Sequence, residues 1–171
     1  MSSPPQWVMQ AFSRLPGPLQ TRVQALIVKV MKDQYWPALA TLPAAWMLIY
    51  VPHFVKMALL STKPKLEFNI SNPRYEDPKS YDRYSELFKR ATGCHQNGFE
   101  SFAPFAAAVL LCKVQKAKPF EVARLCYRYL VLRLVYTLVY LAGRSEAVAC
   151  TRPPIWAASK FTVWQLFMKA L

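Results

Sequence analysis

Apolar residues along this chain gather into four segments separated by shorter polar connections. The segments lie at about 36–60, 84–112, 120–143 and 154–171. Roughly 20 apolar residues in a helix span the hydrocarbon core of a bilayer. The first and third segments are apolar around the whole helix circumference, unlike the helices of a soluble bundle. We therefore predict an all-α fold, an integral membrane four-helix bundle.

Prolines and polar connections support this division of the chain. Pro37, Pro43 and Pro52 fall in the first segment, where a membrane helix tolerates them better than a soluble helix does. The connection from Ser61 to Arg83 contains the turn-rich stretch NISNPRYEDPKS. Clusters of Asn, Pro and Ser of this kind mark loops. We expect this connection to lie outside the membrane.

The residues before the first segment form a region with an amphipathic pattern. Five apolar residues recur on one helical face while basic residues occupy the others; the apolar ones are Leu19, Val23, Leu26, Ile27 and Val30. Helices of this type lie on a membrane surface. The predicted organisation is an N-terminal amphipathic arm at 1–34, followed by a four-transmembrane-helix domain at 35–171.

The chain is strongly basic, with 22 Lys and Arg against 9 Asp and Glu and a formal net charge of +13. In a nucleic-acid-binding protein such an excess gathers into a patch or stripe, whereas here the basic residues are scattered between the apolar segments. In a membrane protein the same excess meets anionic head groups at the interfaces. We expect membrane lipids as partners, and no nucleic acid.

The four cysteines are widely separated in the sequence: Cys94, Cys112, Cys126 and Cys150. They form no C-x-x-C pair and have no histidine nearby at ligand spacing, which argues against a zinc site and against a secreted disulfide scaffold. We expect them to be buried free thiols, and we expect no metal site.

Ionisable residues within the second and third segments are the strongest candidates for a site. One helix face of the second segment carries residues spaced by three or four positions: Arg90, Gly93, Asn97, Glu100 and Pro104. One face of the third segment carries Arg133, Tyr136 and Tyr140. Charged groups at membrane depth are costly and usually face a bundle interior. They form either a scaffold, with Glu100 paired to Arg133 or Arg90, or a site for an anionic ligand.

The stretch RATGCHQNGFESFAPF, from Arg90 to Phe105, resembles the second-helix signature of the MAPEG family, membrane-associated proteins in eicosanoid and glutathione metabolism. That signature has Arg-Ala, a His-x-Asn-x-x-Glu unit and Pro-Phe before an apolar run. The tripeptide NPR, from Asn72 to Arg74, and the stretch RLVYTLVYL, from Arg133 to Leu141, are similar to further family patterns. The resemblance covers about 36–171 and leaves the N-terminal arm outside.

The resemblance implies a four-helix bundle, usually a homotrimer, with glutathione bound between neighbouring subunits. The residues it implies for glutathione binding are Arg90, His95, Asn97, Glu100, Arg133 and Tyr140. Glutathione carries two carboxylates, an ammonium and a thiol. Arginines suit the carboxylates, to which they bind bidentately, and Glu100 suits the ammonium.

Two positions depart from the pattern of catalytic family members. Many of those members carry a further arginine where this chain has Gly93, and an Arg-Ser pair where it has Arg152 and Pro153. The resemblance makes Arg152 the catalytic candidate, because a cation near the sulfur favours the thiolate. The hydroxyl of the Arg-Ser pair is absent.

Two functions are compatible with these residues. The first is a glutathione-dependent transferase or peroxidase acting on lipophilic substrates, with glutathione as its cofactor. The second is a non-catalytic accessory subunit of a larger membrane complex, which keeps the MAPEG fold and packs against other membrane subunits. Either function predicts a location in the endoplasmic reticulum membrane, or in a mitochondrial or other organellar membrane.

Overall fold

The computed structural model describes Ser13, residues 16–62 and residues 83–171. Seven helices have their bounds within these residues: α1 (Gly17–Lys32), α2 (Trp36–Leu39), α3 (Thr41–Thr62), α4 (Arg83–Val114), α5 (Pro119–Ala142), α6 (Glu146–Ala149) and α7 (Arg152–Ala170). The described part of the chain contains no strand, so the all-α class is confirmed. Long helices occupy all four apolar segments. The NPR tripeptide and the polar connection around it lie outside the described residues.

The chain divides into two compact units, with the boundary between Trp36 and Pro37. The first unit contains α1, so the predicted helix of the N-terminal arm is confirmed as a helix. Leu19, on its apolar stripe, is exposed, and the side chains of residues 26–31 lie outside the described part. The contact of this helix with a membrane surface stays a prediction.

The four long helices of the second unit pack around a common core. The most extensive contacts join α3 to α4 and α5 to α7, and α4 also packs against α5 and α7. In the core the rings of Phe105 and Tyr129 stack, with centroids 3.8 Å apart. The Tyr129 hydroxyl donates to the Ser101 hydroxyl oxygen at 3.1 Å, which satisfies a polar group that burial would otherwise leave unpaired.

Buried thiols take part in these helix contacts. Three of the four cysteines are buried: Cys94, Cys112 and Cys126. The Cys112 thiol donates to the Leu166 carbonyl oxygen at 3.1 Å and so ties α4 to α7. Cys150, in the connection before α7, is exposed. The expectation of buried free thiols is therefore confirmed for three cysteines and wrong for Cys150.

Two stretches of the described chain are long and apolar enough to cross a membrane: Trp36–Ser61 and Pro119–Ala142. They correspond to the first and third predicted spans. Large apolar side chains such as Phe54, Leu138 and Trp164 are exposed on the long helices, as expected of surfaces that meet lipid. The other two long helices, α4 and α7, carry more polar side chains, and their crossing stays a prediction.

The connection between α5 and α7 contains the single helical turn α6, which its polar composition did not predict. Ser145 is the N-cap, and its side-chain oxygen accepts a hydrogen bond from the backbone N–H of Val148. Glu146 lies in the first turn, where a negative charge suits the helix dipole. These local contacts stabilise the helical turn within the connection from α5 to α7.

The helix α4 ends in a turn that places Lys116 at φ 54°. The N–H of Ala117 donates to the Cys112 carbonyl at 3.0 Å, and that of Lys116 to the Lys113 carbonyl at 3.2 Å. These are the two bonds of a Schellman motif, in which glycine usually holds the left-handed position. The turn satisfies the last carbonyls of α4 while straining a residue that carries a Cβ.

Replacing Lys116 by glycine should therefore raise the free energy of unfolding by about 1 kcal/mol. The left-handed conformation costs a residue with a Cβ roughly 1–2 kcal/mol, and the greater freedom of glycine in the unfolded chain offsets part of the gain. Thermal denaturation in detergent measures the change. Lys116→Ala removes the same charge but keeps the Cβ, and should give no gain. Equal gains in stability for Lys116→Gly and Lys116→Ala would contradict backbone strain at Lys116.

Candidate functional site

The end of α5, the start of α7 and the middle of α4 surround a cleft of about 420 Å³, within the range of small-molecule sites. We call it the arginine cleft; its lining residues are Asn97, Tyr136, Tyr140, Ala149, Arg152, Pro153 and Trp156. Arg152, at the start of α7, donates to the Gly143 carbonyl oxygen at 3.3 Å, just beyond the end of α5.

Arg152 is the cation of the arginine cleft. Its guanidinium carbon lies 4.3 Å from the centroid of the Tyr140 ring. The Tyr140 ring lies in turn 5.4 Å from that of Tyr136, centroid to centroid. Stacking on an aromatic face fixes the orientation of a guanidinium group. Two residues predicted from the sequence, Tyr140 and Arg152, therefore form one wall of the cleft.

Arg90 and Arg152 each have a buried Nε that finds no hydrogen-bond partner within the described residues. Arg90 experiences the positive charges of Arg152 and Arg144, and the opposing charge of Glu86. Glu86 is itself 3.9 Å from the ammonium of Lys89. Buried N–H groups without partners are rare in folded proteins. Among the described residues these two Nε groups find no acceptor, and the arginines around Arg90 outnumber the single carboxylate that acts on it, so the local electrostatics favour an anion.

Arg133 is buried within α5, with 5% of its surface exposed. Its guanidinium donates to the Asn97 side-chain oxygen at 3.0 Å and lies 4.5 Å from the centroid of the Tyr136 ring. Asn97 also lines the arginine cleft, so its amide connects the buried charge to the cleft. The predicted inward position of Arg133 is confirmed.

Glu100 is exposed, so its predicted inward orientation is wrong for the chain described here. The ion pair predicted for the scaffold alternative is also absent, because among the described residues Glu100 pairs with neither Arg133 nor Arg90. A step of three residues turns a helix by about 300°, which places Glu100 about 60° from Asn97 around α4. The charges of Glu100 and Arg133 both act on Lys160 of α7.

A second cleft, of about 640 Å³, lies between α3 and α4. We call it the histidine cleft; its lining residues are His53, Lys56, Thr92, His95, Gln96, Phe99 and Glu100. The rings of His53 and His95 lie 5.1 Å apart, centroid to centroid. The Nδ1 of His95 is 2.7 Å from the Ile49 carbonyl oxygen. Because a carbonyl only accepts, Nδ1 of His95 is the donor in this contact.

The predicted glutathione-binding and catalytic residues are thus divided between two regions. The arginine cleft and its surroundings contain Arg90, Asn97, Arg133, Tyr140 and Arg152. The histidine cleft contains His95 and Glu100. Sequence analysis missed His53 and Lys56, whose signal was their position as polar residues within the first apolar segment. Spacing along the second segment could not reveal them, because they come from a different helix.

Apolar helices that enclose charged side chains, with a cationic cleft at one end, are typical of a helical membrane protein with a polar site. The MAPEG family model matches residues 37–171, and the chain belongs to the MAPEG family. The matched region is the second compact unit. Family membership and the two apolar helices indicate an integral membrane protein. No curated protein and no solved structure matches the chain.

Replacing Asn97 by leucine should lower the free energy of unfolding by about 1.5–3 kcal/mol, because buried Arg133 loses a hydrogen bond to a charged group. Asn97→Asp keeps an acceptor there and adds the opposite charge, so it should keep or raise the melting temperature. Arg124→Gln, at an exposed position on α5, is the control and should change stability by less than about 0.5 kcal/mol. If Asn97→Asp lowered the free energy of unfolding as much as Asn97→Leu, the hydrogen bond to Arg133 would not be the source of Asn97's contribution to stability.

Proposed function

We propose that this MAPEG protein is a membrane-spanning four-helix bundle that binds glutathione at the arginine cleft and uses it in transfer to, or reduction of, lipophilic substrates. The observation that carries the proposal is the pair of buried Nε groups on Arg90 and Arg152, which lack partners in the described part of the chain. Such groups require acceptors from elsewhere. Members of this family generally use glutathione.

The charges of glutathione suit those around the cleft. Guanidinium groups bind carboxylates through paired hydrogen bonds, and glutathione has two carboxylates. Arg152 and Arg144 act on Arg90 with like charge, and Glu86 acts on it with opposite charge. An anion placed among the arginines would lower the repulsion between them. The ammonium of glutathione suits a carboxylate, and Glu100 is exposed without an ion-pair partner among the described residues.

Arg152 and Tyr140 are suited to orient a thiol. A guanidinium beside a sulfur favours the thiolate, and glutathione supplies this thiol as a nucleophile or as a reductant of a hydroperoxide. The Tyr140 hydroxyl makes no hydrogen bond within the described chain, so it is available to donate to the ligand. Trp156 adds an exposed aromatic surface to the same cleft, where a lipophilic substrate would meet the thiolate.

The two clefts support a shared site between copies of the chain. His95 is two residues from Asn97, a turn of about 200° around α4, so these side chains face nearly opposite directions. One ligand reaches both only if the histidine cleft of a second copy meets the arginine cleft of the first. The exposed polar side chains Gln96 and Glu100 would be costly against lipid, and such an assembly would cover them. We propose that this assembly is a homotrimer.

A second candidate function is that of an accessory subunit in a larger membrane complex, without chemistry of its own. The observation that favours it is the engagement of Arg152, which already donates to Gly143 and stacks on Tyr140. Pro153 supplies no hydroxyl beside it. In this function the buried polar residues would hold the helices together, and Glu100 would pair with another subunit.

Calorimetric titration of glutathione into the purified full chain in detergent tests the first function. The wild type should bind, and Arg90→Gln and Arg152→Gln should each weaken binding at least about tenfold. A hydrogen bond to a charged group contributes roughly 1.5–3 kcal/mol, and about 1.4 kcal/mol is tenfold. Arg124→Gln removes an equal charge from an exposed position on α5, and should bind like the wild type.

Glu100→Gln sharpens this comparison between the two functions. If Glu100 holds the ammonium of glutathione, the variant should bind more weakly, with a melting temperature like that of the wild type, because exposed positions contribute little to stability. A folded wild type that binds no glutathione would contradict the first function and favour the accessory subunit.

Mixed oligomers test whether the two clefts meet. Arg152→Gln disables the arginine cleft and Glu100→Lys reverses a charge in the histidine cleft, so each variant alone should bind glutathione poorly. Co-expressed with two different tags and purified through both, they should regain a fraction of the sites, because some interfaces pair two intact clefts. No recovery in oligomers shown to contain both variants would contradict the shared site.

A further inference from the structure

Gly93 of α4 lies directly against Tyr140 of α5. A Cβ placed on Gly93 would stand 3.0 Å from the Tyr140 hydroxyl oxygen and 3.7 Å from the ring carbon that bears it. The first distance is closer than ordinary van der Waals contact. The hydroxyl therefore packs closely against the backbone of residue 93. A side chain at residue 93 requires the Tyr140 hydroxyl to move by about a few tenths of an ångström.

Arg152 packs against a second glycine, Gly143. A Cβ on Gly143 would lie 2.6 Å from an Nη of Arg152, and Arg152 donates to the Gly143 carbonyl at 3.3 Å. Its guanidinium carbon is 4.3 Å from the Tyr140 ring centroid. Tyr140 thus rests against Gly93 through its hydroxyl and carries Arg152 on its face, while Gly143 leaves room for the guanidinium.

We propose that Gly93 is a positioning residue of the arginine cleft: by lacking a side chain it seats the Tyr140 hydroxyl against α4, and the seated ring sets where the Arg152 guanidinium lies. This inference rests on the proposed function, because Gly93 would shape the arginine cleft for the thiolate of glutathione. The seated ring presents a hydroxyl that makes no hydrogen bond within the described residues, next to a cation. The pair suits one anionic oxygen or sulfur of a ligand.

A methyl group at residue 93 separates positioning from folding. Alanine is the better helix former, so Gly93→Ala within α4 favours the helix itself. The same methyl pushes the Tyr140 hydroxyl away and shifts the surface on which Arg152 stacks. A positioning role therefore predicts a loss of ligand affinity without a matching loss of melting temperature. A purely structural role predicts that affinity and melting temperature fall together.

The test is a double-mutant cycle on the full chain in detergent, with glutathione affinity measured by calorimetry and stability by thermal denaturation. Gly93→Ala should weaken binding at least about tenfold, since one displaced charged contact accounts for that factor. Tyr140→Phe removes the clashing oxygen and should weaken binding less. Adding Gly93→Ala to Tyr140→Phe should then cause no further loss, because the methyl no longer meets the hydroxyl.

Gly98→Ala is the matched control on the same helix. Its Cβ would stand 3.0 Å from the Ile49 Cγ2 atom, an equally close contact, but neither residue lines the arginine cleft. It should bind glutathione within about twofold of the wild type, well under the tenfold step of about 1.4 kcal/mol. If Gly98→Ala weakened binding as much as Gly93→Ala, or if the losses at positions 93 and 140 simply added, the positioning role would be overturned.

The two proposals fail in distinguishable ways. A folded wild type that binds no glutathione overturns the proposed function, and the cycle is then judged from melting temperatures alone. If the changes in melting temperature caused by Gly93→Ala and Tyr140→Phe are not additive in the double variant, this supports the seating of Tyr140 by Gly93. Strict additivity overturns it, because residues in contact show an interaction energy in such cycles while independent ones do not.

Discussion

A guanidinium group inside a helix bundle has to find an acceptor, and in this protein Arg133 finds the amide of Asn97. The contact joins the middle of α4 to α5 through a partly buried hydrogen bond. It also determines the electrostatics of the site. An amide satisfies the hydrogen bond but leaves the positive charge of Arg133 in place, so the neighbouring cleft stays cationic.

Much of the remaining site follows from that unbalanced charge. Arg90 and Arg152 add two more guanidinium groups near the same end of α4 and α5, and both have a buried Nε without a partner among the described residues. A chain selected for stability alone would place acids or apolar residues there. Departures of this kind are found at functional sites, where the cost is compensated by a ligand or a partner.

The helices could be predicted from the sequence, because long apolar runs bounded by prolines and polar stretches leave few alternatives. The inward position of Arg133 followed from the cost of exposing a charge to lipid. The outward position of Glu100 could not be predicted in the same way. Spacing along one helix groups residues on a broad face, but it does not show which neighbouring helix covers each edge of that face. The contacts of His53 with His95 and of Gly93 with Tyr140 join residues from different helices. Periodicity within one helix holds no information about such pairs.

The distribution of the thiols gives the molecule an attachment point that requires no substitution. Cys150 is exposed and lies two positions before Arg152, whereas Cys94, Cys112 and Cys126 are enclosed by the helices. A thiol-reactive fluorophore or spin label would therefore attach to the folded chain at a single place, next to the arginine cleft. Further labels would attach only to chains whose helices have separated. The number of labels per chain therefore measures how many molecules have separated helices. The label on Cys150 reports on the arginine cleft.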